Sequence, residues 1–317
     1  MSTTASAVTN TFSAPGVLMA ENFADVLDSR FAFVKRRMWQ EPVEGLKFWN
    51  VLSTNKAYEK HSYVTSAGIV PKSRDVDEMP LTNIIQGFDQ TYTPETYRLG
   101  LRIEQRLRET DQFRVIDKQM QDLNQSTRDT IELSAVLPFN TAFSTTVEWT
   151  CADGMNLCDK LRKYEDPSVG TWDNEETSSV MTQAAVATMR LNFRKNKSER
   201  GRRRPLIMDK IIIPSDLEDT AITVLKSVQK AGVSLNDKNF LTEYRLSYQV
   251  WNYLTSSTYW FGSTKKDSNY ELFWYWGVKP TVNSYDCGNP NVYCKYIRMV
   301  FGTGADRPHS IRGNVGV

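Results

Sequence analysis

The series Phe113, Ile116, Met120, Leu123, Thr127 and Ile131 returns at three- and four-residue intervals, while Arg114, Asp117, Lys118, Gln121, Asp122, Arg128 and Asp129 fall between. That period puts the first set on one face of a helix and the second on the other. Thr110-Asp111 supplies a cap, and neither Pro nor Gly occurs between Arg102 and Leu137. The spacing therefore predicts a helix over 111–136, roughly 40 Å long at about 1.5 Å per residue. One stripe on so long a helix suits a spine packed along one side of a sheet. A coiled coil is the weaker option, because the stripe fades after about three heptads.

Upstream the texture differs. Leu18, Met19, Phe23, Val26, Leu27 and Phe31 predict a helix over 14–30, followed by the basic step Lys35-Arg36-Arg37. From residue 45 to 106, short runs of Val, Ile, Tyr and Thr alternate with polar residues and are broken by Pro71, Pro80, Pro94, Gly68, Gly87 and Gly100. Residues 62–65 and 97–103 read as strands joined by a long loop. The alternation allows a two-stranded ribbon but offers too few large apolar residues for a core, and an isolated ribbon is marginal in water. Something must cover it, and another copy of the chain is an economical candidate.

Downstream the pattern is mixed. Asp153-Gly154 and Gly170-Thr171-Trp172 mark turns; 178–193 reads as a helix with Ala184, Ala185 and Ala187 on a small-residue face. Residues 206–213 read as a buried strand, stopped by Pro214-Ser215-Asp216, which opens a helix to about residue 228. Strands are expected over 244–253, 258–261, 271–276 and 292–301, and the Gly-rich tail 302–317 reads as loop. The fold class is α+β, without an internal repeat.

Composition narrows the function. The chain has 317 residues, 40% of them apolar, with 39 basic against 37 acidic side chains and a formal charge of +2. This is ordinary globular composition, and it excludes a strongly basic nucleic-acid binder or an acidic tail protein. No stretch reaches the roughly 18 apolar residues of a membrane span, so no membrane partner is expected. Residues 1–14 are small and polar, without the features of a secretory signal, and read as a flexible or extended arm. Cys151, Cys158, Cys287 and Cys294 form two C-x6-C pairs. That spacing is not a usual zinc pattern, and buried free thiols are the simpler expectation.

Catalytic chemistry has little to stand on. His61 and His309 are the only histidines, neither in a recognisable acyl-transfer motif, and both read as solvated structural residues. Phosphate-loop and dinucleotide-binding glycine patterns are missing. Glu175-Glu176 and Asp216, Glu218 and Asp219 are carboxylate groups that nothing singles out; the latter set opens a helix, where acids complement the dipole. Neither catalysis nor a cofactor or metal is expected. The run 195–204 is the sharpest charge feature: Lys195, Lys197, Arg200, Arg202, Arg203 and Arg204 against Glu199 alone. It reads either as a contact for nucleic acid or an acidic partner surface, or as a solvated loop after a helix. Trp251, Tyr253, Tyr259, Trp260, Phe261, Tyr270, Phe273, Trp274, Tyr275 and Trp276 read as a sugar platform or, more simply, as a sheet core.

The order of these parts resembles the major capsid proteins of tailed phages, which share the Hong Kong 97 type fold, and more specifically the Mu-like major head subunit family. The resemblance rests on Asp153-Gly154 with Leu157-Cys158, then Gly170-Thr171-Trp172, the Ala-rich helix and Arg200-Gly201. It continues through Lys210-Ile211-Ile212-Ile213-Pro214, Leu217-Glu218, Thr220-Ala221, Tyr293-Cys294-Lys295-Tyr296-Ile297-Arg298 and Phe301-Gly302. It covers the last half of the chain by motif and the first by architecture. Departures are the charged Arg202-Arg203-Arg204 and the long connection 231–239. The resemblance implies an N-terminal arm and first helix (1–45), an extended β-hairpin loop (46–108), a spine helix of a peripheral domain (109–148), a mixed α/β axial domain (149–290), and a closing strand and tail (291–317).

It further implies a structural head protein that self-assembles, as hexamers and pentamers, into an icosahedral shell around double-stranded DNA. The shell would form in the host bacterial cytoplasm and end in the virion. Portal and a separate scaffolding protein would be partners, with a decoration protein as an optional one. Tyr63, Lys72, Arg74, Phe88, Tyr92 and Tyr97 are the candidate inter-subunit contacts. Lys195, Lys197, Arg200, Arg202, Arg203 and Arg204 are candidates for DNA or capsomer contacts. An encapsulin-like or prophage-derived shell is a near alternative, and a soluble enzyme or carbohydrate-binding protein using the aromatic sheet is an alternative of another class.

Overall fold

The structure is a computed structural model describing residues 43–74, 78–110, 115–144, 149–229, 238–267, 270–289 and 291–317. The helix expected over 14–30 and the arm before it lie outside the described residues. The strands are β1 (Asn50–Ser53), β2 (Glu59–Val64), β3 (Gln86–Tyr92), β4 (Glu95–Glu104), β5 (Arg162–Lys163), β6 (Thr171–Trp172), β7 (Met208–Ile213), β8 (Ser247–Val250), β9 (Trp260–Thr264), β10 (Leu272–Tyr285), β11 (Val292–Ala305) and β12 (Ile311–Asn314). The α-helices are α1 (Gln105–Thr110), α2 (Val115–Asn140), α3 (Gln183–Lys195) and α4 (Glu218–Lys226).

Two compact units emerge. Among the described residues, the smaller takes 96–129 and 278–300; the larger takes 43–95, 130–277 and 301–317. In the smaller unit the strand order is β10–β11–β4. Cys287 and Cys294, expected as free thiols, are joined there as a disulfide. Their Cα atoms stand 6.1 Å apart, within bonding range. Cys151 and Cys158 are the buried free thiols that were expected, and burial raises both, Cys151 to about 12.

In the larger unit the order β12–β9–β7–β8 builds a mixed sheet. β7 runs parallel to β8 and antiparallel to β9. Ile211 and Ile213 of β7, Trp260 of β9, Met189 and Phe193 of α3, and Val224 and Leu225 of α4 share one apolar core. Thr182 caps α3, its hydroxyl accepting from the Ala185 N–H at 3.2 Å. The helix therefore starts five residues later than its apolar spacing suggested.

The spine helix is 26 residues long, and it runs one turn past its expected end, through Pro138. Proline removes one helix hydrogen bond, yet Val136 and Phe139 are fully buried on either side of it, and the Thr141 N–H closes on the Leu137 carbonyl at 3.0 Å. Buried Glu132 faces inward, its carboxylate accepting from the Gly45 N–H at 2.9 Å and from Trp251 Nε1 at 3.2 Å.

The tail is not a loop. β11 continues to Ala305 and β12 pairs antiparallel with β9, all four of its residues buried. β12 thereby joins the four-stranded sheet of the larger unit, to which residues 301–317 belong.

Candidate assembly interface and its anchor

β2 and β3 form a two-stranded ribbon; they pair antiparallel with Glu59 opposite Tyr92 and Val64 opposite Gln86. Along β2, Glu59, His61 and Tyr63 are half-buried while Lys60, Ser62 and Val64 are exposed, the alternation of a strand with one covered face. The covered face is tied to the segment after β11. His61 Nδ1 lies 2.7 Å from Asp306 Oδ2, Tyr275 Oη lies 2.7 Å from His61 Nε2, and the Tyr92 hydroxyl donates to Asp306 Oδ1 at 2.5 Å. Burial, then the Asp306 charge, pushes the Tyr275 hydroxyl up to about 12 and the Tyr92 hydroxyl higher still. Both phenols therefore stay protonated as donors.

A second tie is electrostatic. The Arg307 guanidinium lies 3.4 Å over the Tyr63 ring, a cation–π contact in which the cation is desolvated. Arg307 also grips Glu271 with two bonds, at 2.9 and 3.2 Å, and pairs with Glu199. Arg204 approaches the same two carboxylates at 3.6 and 3.9 Å. Burial raises the Glu271 carboxyl against the pull of Arg307 and Arg204. Next to this cluster His309 is fully buried against Trp172, ring centroids 3.9 Å apart. Burial, reinforced by Arg307 and Arg204, holds it well below 6.5 and keeps it neutral. Neither histidine is the solvated residue that was expected.

The ribbon closes where the Thr65 N–H donates to the Ile85 carbonyl at 2.9 Å. Beyond that pair, the loop between residues 65 and 85 shows aliphatic side chains to solvent: Ile69 is 78% exposed, Val70 90% and Leu81 88%, with Met79 and Ile84 also exposed. Single exposed apolar residues need no explanation, but this many on one loop do.

The basic run follows α3, and its cations are not used alike. It folds into a tight turn, with the Ser198 N–H on the Arg202 carbonyl at 2.7 Å and the Arg204 N–H on the Asn196 carbonyl at 2.9 Å. Gly201 takes the positive φ of 70° that the turn requires. Arg200 pairs with Asp166 at 2.9 Å and also donates to the Asn83 carbonyl. Arg202 donates to the Ala67 carbonyl at 3.1 Å. Two of the six cations thus hold the loop by its backbone and Arg204 joins the buried acids, leaving Lys195, Lys197 and Arg203 exposed.

Of the residues nominated as inter-subunit contacts, Lys72 and Arg74 stand exposed on the loop. Tyr92 does not: it is 1% exposed inside the subunit, so no neighbour can reach it. Tyr63 lies under Arg307, Phe88 is half-buried on β3, and Tyr97 stands half-buried on β4 in the smaller unit. The nomination favoured aromatic and charged residues and passed over Ile69, Val70, Met79, Leu81 and Ile84. The signal for them was available, since they are the loop's large apolar residues outside any alternating run. The aromatic run is core: Trp251, Trp260 and Trp274 are fully buried, which removes the sugar-platform reading.

The described residues contain no group of acidic, histidine or cysteine side chains arranged for a metal ion. No described helix is long and apolar enough to cross a membrane.

Comparison with known proteins defines the class. The chain is similar in structure to "Mycobacterium phage Bobi" (TM-score 0.57, 8% identity, 95% of this chain and 99% of that one). It is also similar to the "Asymmetric unit of bacteriophage PhiM1 mature capsid" (0.55, 8%, 88% of each chain) and to "The capsid of Myoviridae Phage XM1" (0.52, 10%, 95% and 99%). The α+β fold is therefore the phage capsid fold of the Hong Kong 97 type. A family model described as "Phage capsid protein" matches residues 88–312, and the chain belongs to that family. It is a structural protein of the virion, a major capsid protein of a tailed phage that assembles with copies of itself, and not an enzyme. No curated protein matches it in sequence.

Proposed function

We propose that the loop between residues 65 and 85 is the element through which one subunit covers its neighbour in the shell. The observation that carries this reading is its apolar surface, Ile69, Val70, Met79, Leu81 and Ile84, exposed at the end of a ribbon whose root is tied to its own subunit. A solitary subunit leaves that surface in water; a neighbouring copy removes it, with a gain of about 25 cal/mol for each Å² covered. The near-neutral charge of +2 suits a surface that meets copies of itself.

In this reading subunits gather as hexamers and pentamers into an icosahedral shell in the host bacterial cytoplasm. Residues 149–290 form the axial part around the symmetry centres, 46–108 the extended loop, 109–148 the spine, 1–45 an arm that clasps neighbours, and 291–317 the closing segment. The shell encloses double-stranded DNA through non-specific contacts and works with a portal and a separate scaffolding protein, with or without a decoration protein. Lys72 and Arg74 join the aliphatic residues at the subunit contact.

The test is removal of residues 66–84, which spares Tyr92 and both ends of the ribbon. The shortened subunit should remain folded and soluble and form no shells by negative-stain microscopy. Normal shells from that variant would refute the assignment.

A further inference from the structure

A polar cleft of about 210 Å³ opens in the larger unit beside the end of α3, with Trp172, Asp173, Lys195, Asn196, Lys197 and Arg312 among its walls. Its charges are unevenly used. Arg312 is spent within the protein, on Glu176 and on the carboxylate and carbonyl of Asp173. Lys195 and Lys197 are exposed and have no ion-pair partner among the described residues. Between them Asn196 is only 9% exposed; its Oδ1 accepts the Lys197 N–H at 3.0 Å, and its buried Nδ2 has no acceptor among the described residues. A buried donor left unpaired costs about 1–3 kcal/mol.

The other features favour an anion over a base or a sugar. One face of Trp172 is taken by His309 at 3.9 Å, and the Arg162 guanidinium lies 5.4 Å from the ring, so the indole is not a free stacking platform. The helix-end carbonyl of Phe193, which would repel an anion, already accepts from the Asn196 N–H at 3.3 Å and the Leu206 N–H at 3.1 Å. Besides the Asp173 carboxylate, which Arg312 neutralises, the unpaired polar groups of this lining are the two lysine ammonium groups and the Asn196 amide donor.

We infer that this cleft is a binding site for a tetrahedral phosphate group, held by Lys195 and Lys197 with the amide of Asn196. The group belongs either to the backbone of DNA or to free inorganic phosphate, and two arms of one experiment separate these sources. Only the DNA arm rests on the shell reading; shell yield, followed in parallel by microscopy, tells failure of that reading from failure of the site.

In the first arm the full chain is titrated with inorganic phosphate by calorimetry. The second measures binding to a short mixed-sequence DNA duplex across a salt series. The variants are Lys195→Gln with Lys197→Gln together, and Arg194→Gln as a neighbouring charge control. Both lysines are exposed, so the thermal midpoint should not move. The double variant should weaken phosphate by about tenfold or more, the size of one lost charged hydrogen bond, while the control binds normally. If the phosphate belongs to DNA, the slope of log affinity on log salt should also shrink by about 2, near 0.9 for each contact. Phosphate binding lost with an unchanged DNA slope assigns the site to free phosphate. Absence of phosphate binding together with an unchanged DNA slope would overturn the site, as would phosphate binding that survives the double substitution.

Discussion

The root and the loop of the ribbon belong to one stretch of chain and are built in opposite ways. At the root, between Glu59 and Val64 and between Gln86 and Tyr92, inward side chains meet named partners: His61 and Tyr92 on Asp306, Tyr63 under Arg307. In the loop from 65 to 85, Ile69, Val70, Met79, Leu81 and Ile84 meet water, while Arg200 and Arg202 hold its backbone at Asn83 and Ala67. Side-chain ties fix a position and satisfy buried groups; backbone ties fix a path and leave side chains free. The difference teaches that the ribbon is a fastened stem that presents unspent apolar surface.

Breaking the comparison at the loop should have the largest effect. Replacing Ile69, Val70, Leu81 and Ile84 together by Ser should bring shell yield to background in negative-stain counts, with the subunit's thermal midpoint nearly unmoved, as for exposed positions generally. At the root the pattern inverts. Asp306→Ala strips the carboxylate from both Tyr92 and His61, and urea unfolding should show a loss of about 2–3 kcal/mol in the isolated subunit.

Acid sharpens the same contrast. His309 is neutral in the folded chain, held below 6.5, and free to protonate once unfolded. Below about 6.5 the unfolded state binds the extra proton. Its contribution to stability is therefore full above that value and is lost as pH falls toward the depressed folded value. The slope it adds is at most about 1.4 kcal/mol per pH unit, and His309→Gln should flatten it in pH-dependent unfolding curves. The smallest effect belongs to the backbone ties. Arg200→Gln with Arg202→Gln should cost the fold about 1 kcal/mol or less, while limited proteolysis between 66 and 84 should quicken.

Periodicity carried much of this architecture. The spine helix and the strands around 62–65 and 97–103 announce themselves because one face of each is covered, which writes period 3.6 or 2 into the sequence. The tail does not, because its glycines serve packing rather than looping. A Cβ on Gly313 would stand 2.5 Å from Phe143 and 2.7 Å from the Cys158 sulfur, and one on Gly304 would stand 2.5 Å from the Tyr92 ring. These strands need glycine where another element comes close, and local pattern cannot tell that from a flexible turn. For the same reason Asp306 and Arg307 stayed invisible as the anchor, since their partners stand 214 to 245 positions away for Asp306 and in separate elements for Arg307. The basic run was conspicuous, but its use was not. Charge counting cannot show that Arg200 and Arg202 face carbonyls, nor that Glu199, the one anion, is buried on Arg307.

Hydrogen–deuterium exchange, compared between the isolated subunit and the assembled shell, tests the stem-and-surface account most directly. Amides of β2 and β3 should be protected in both forms. Those between 66 and 84 should exchange freely in the subunit and become strongly protected in the shell. Equal exchange of the 66–84 amides in the two forms would contradict the claim that a neighbouring copy covers this loop.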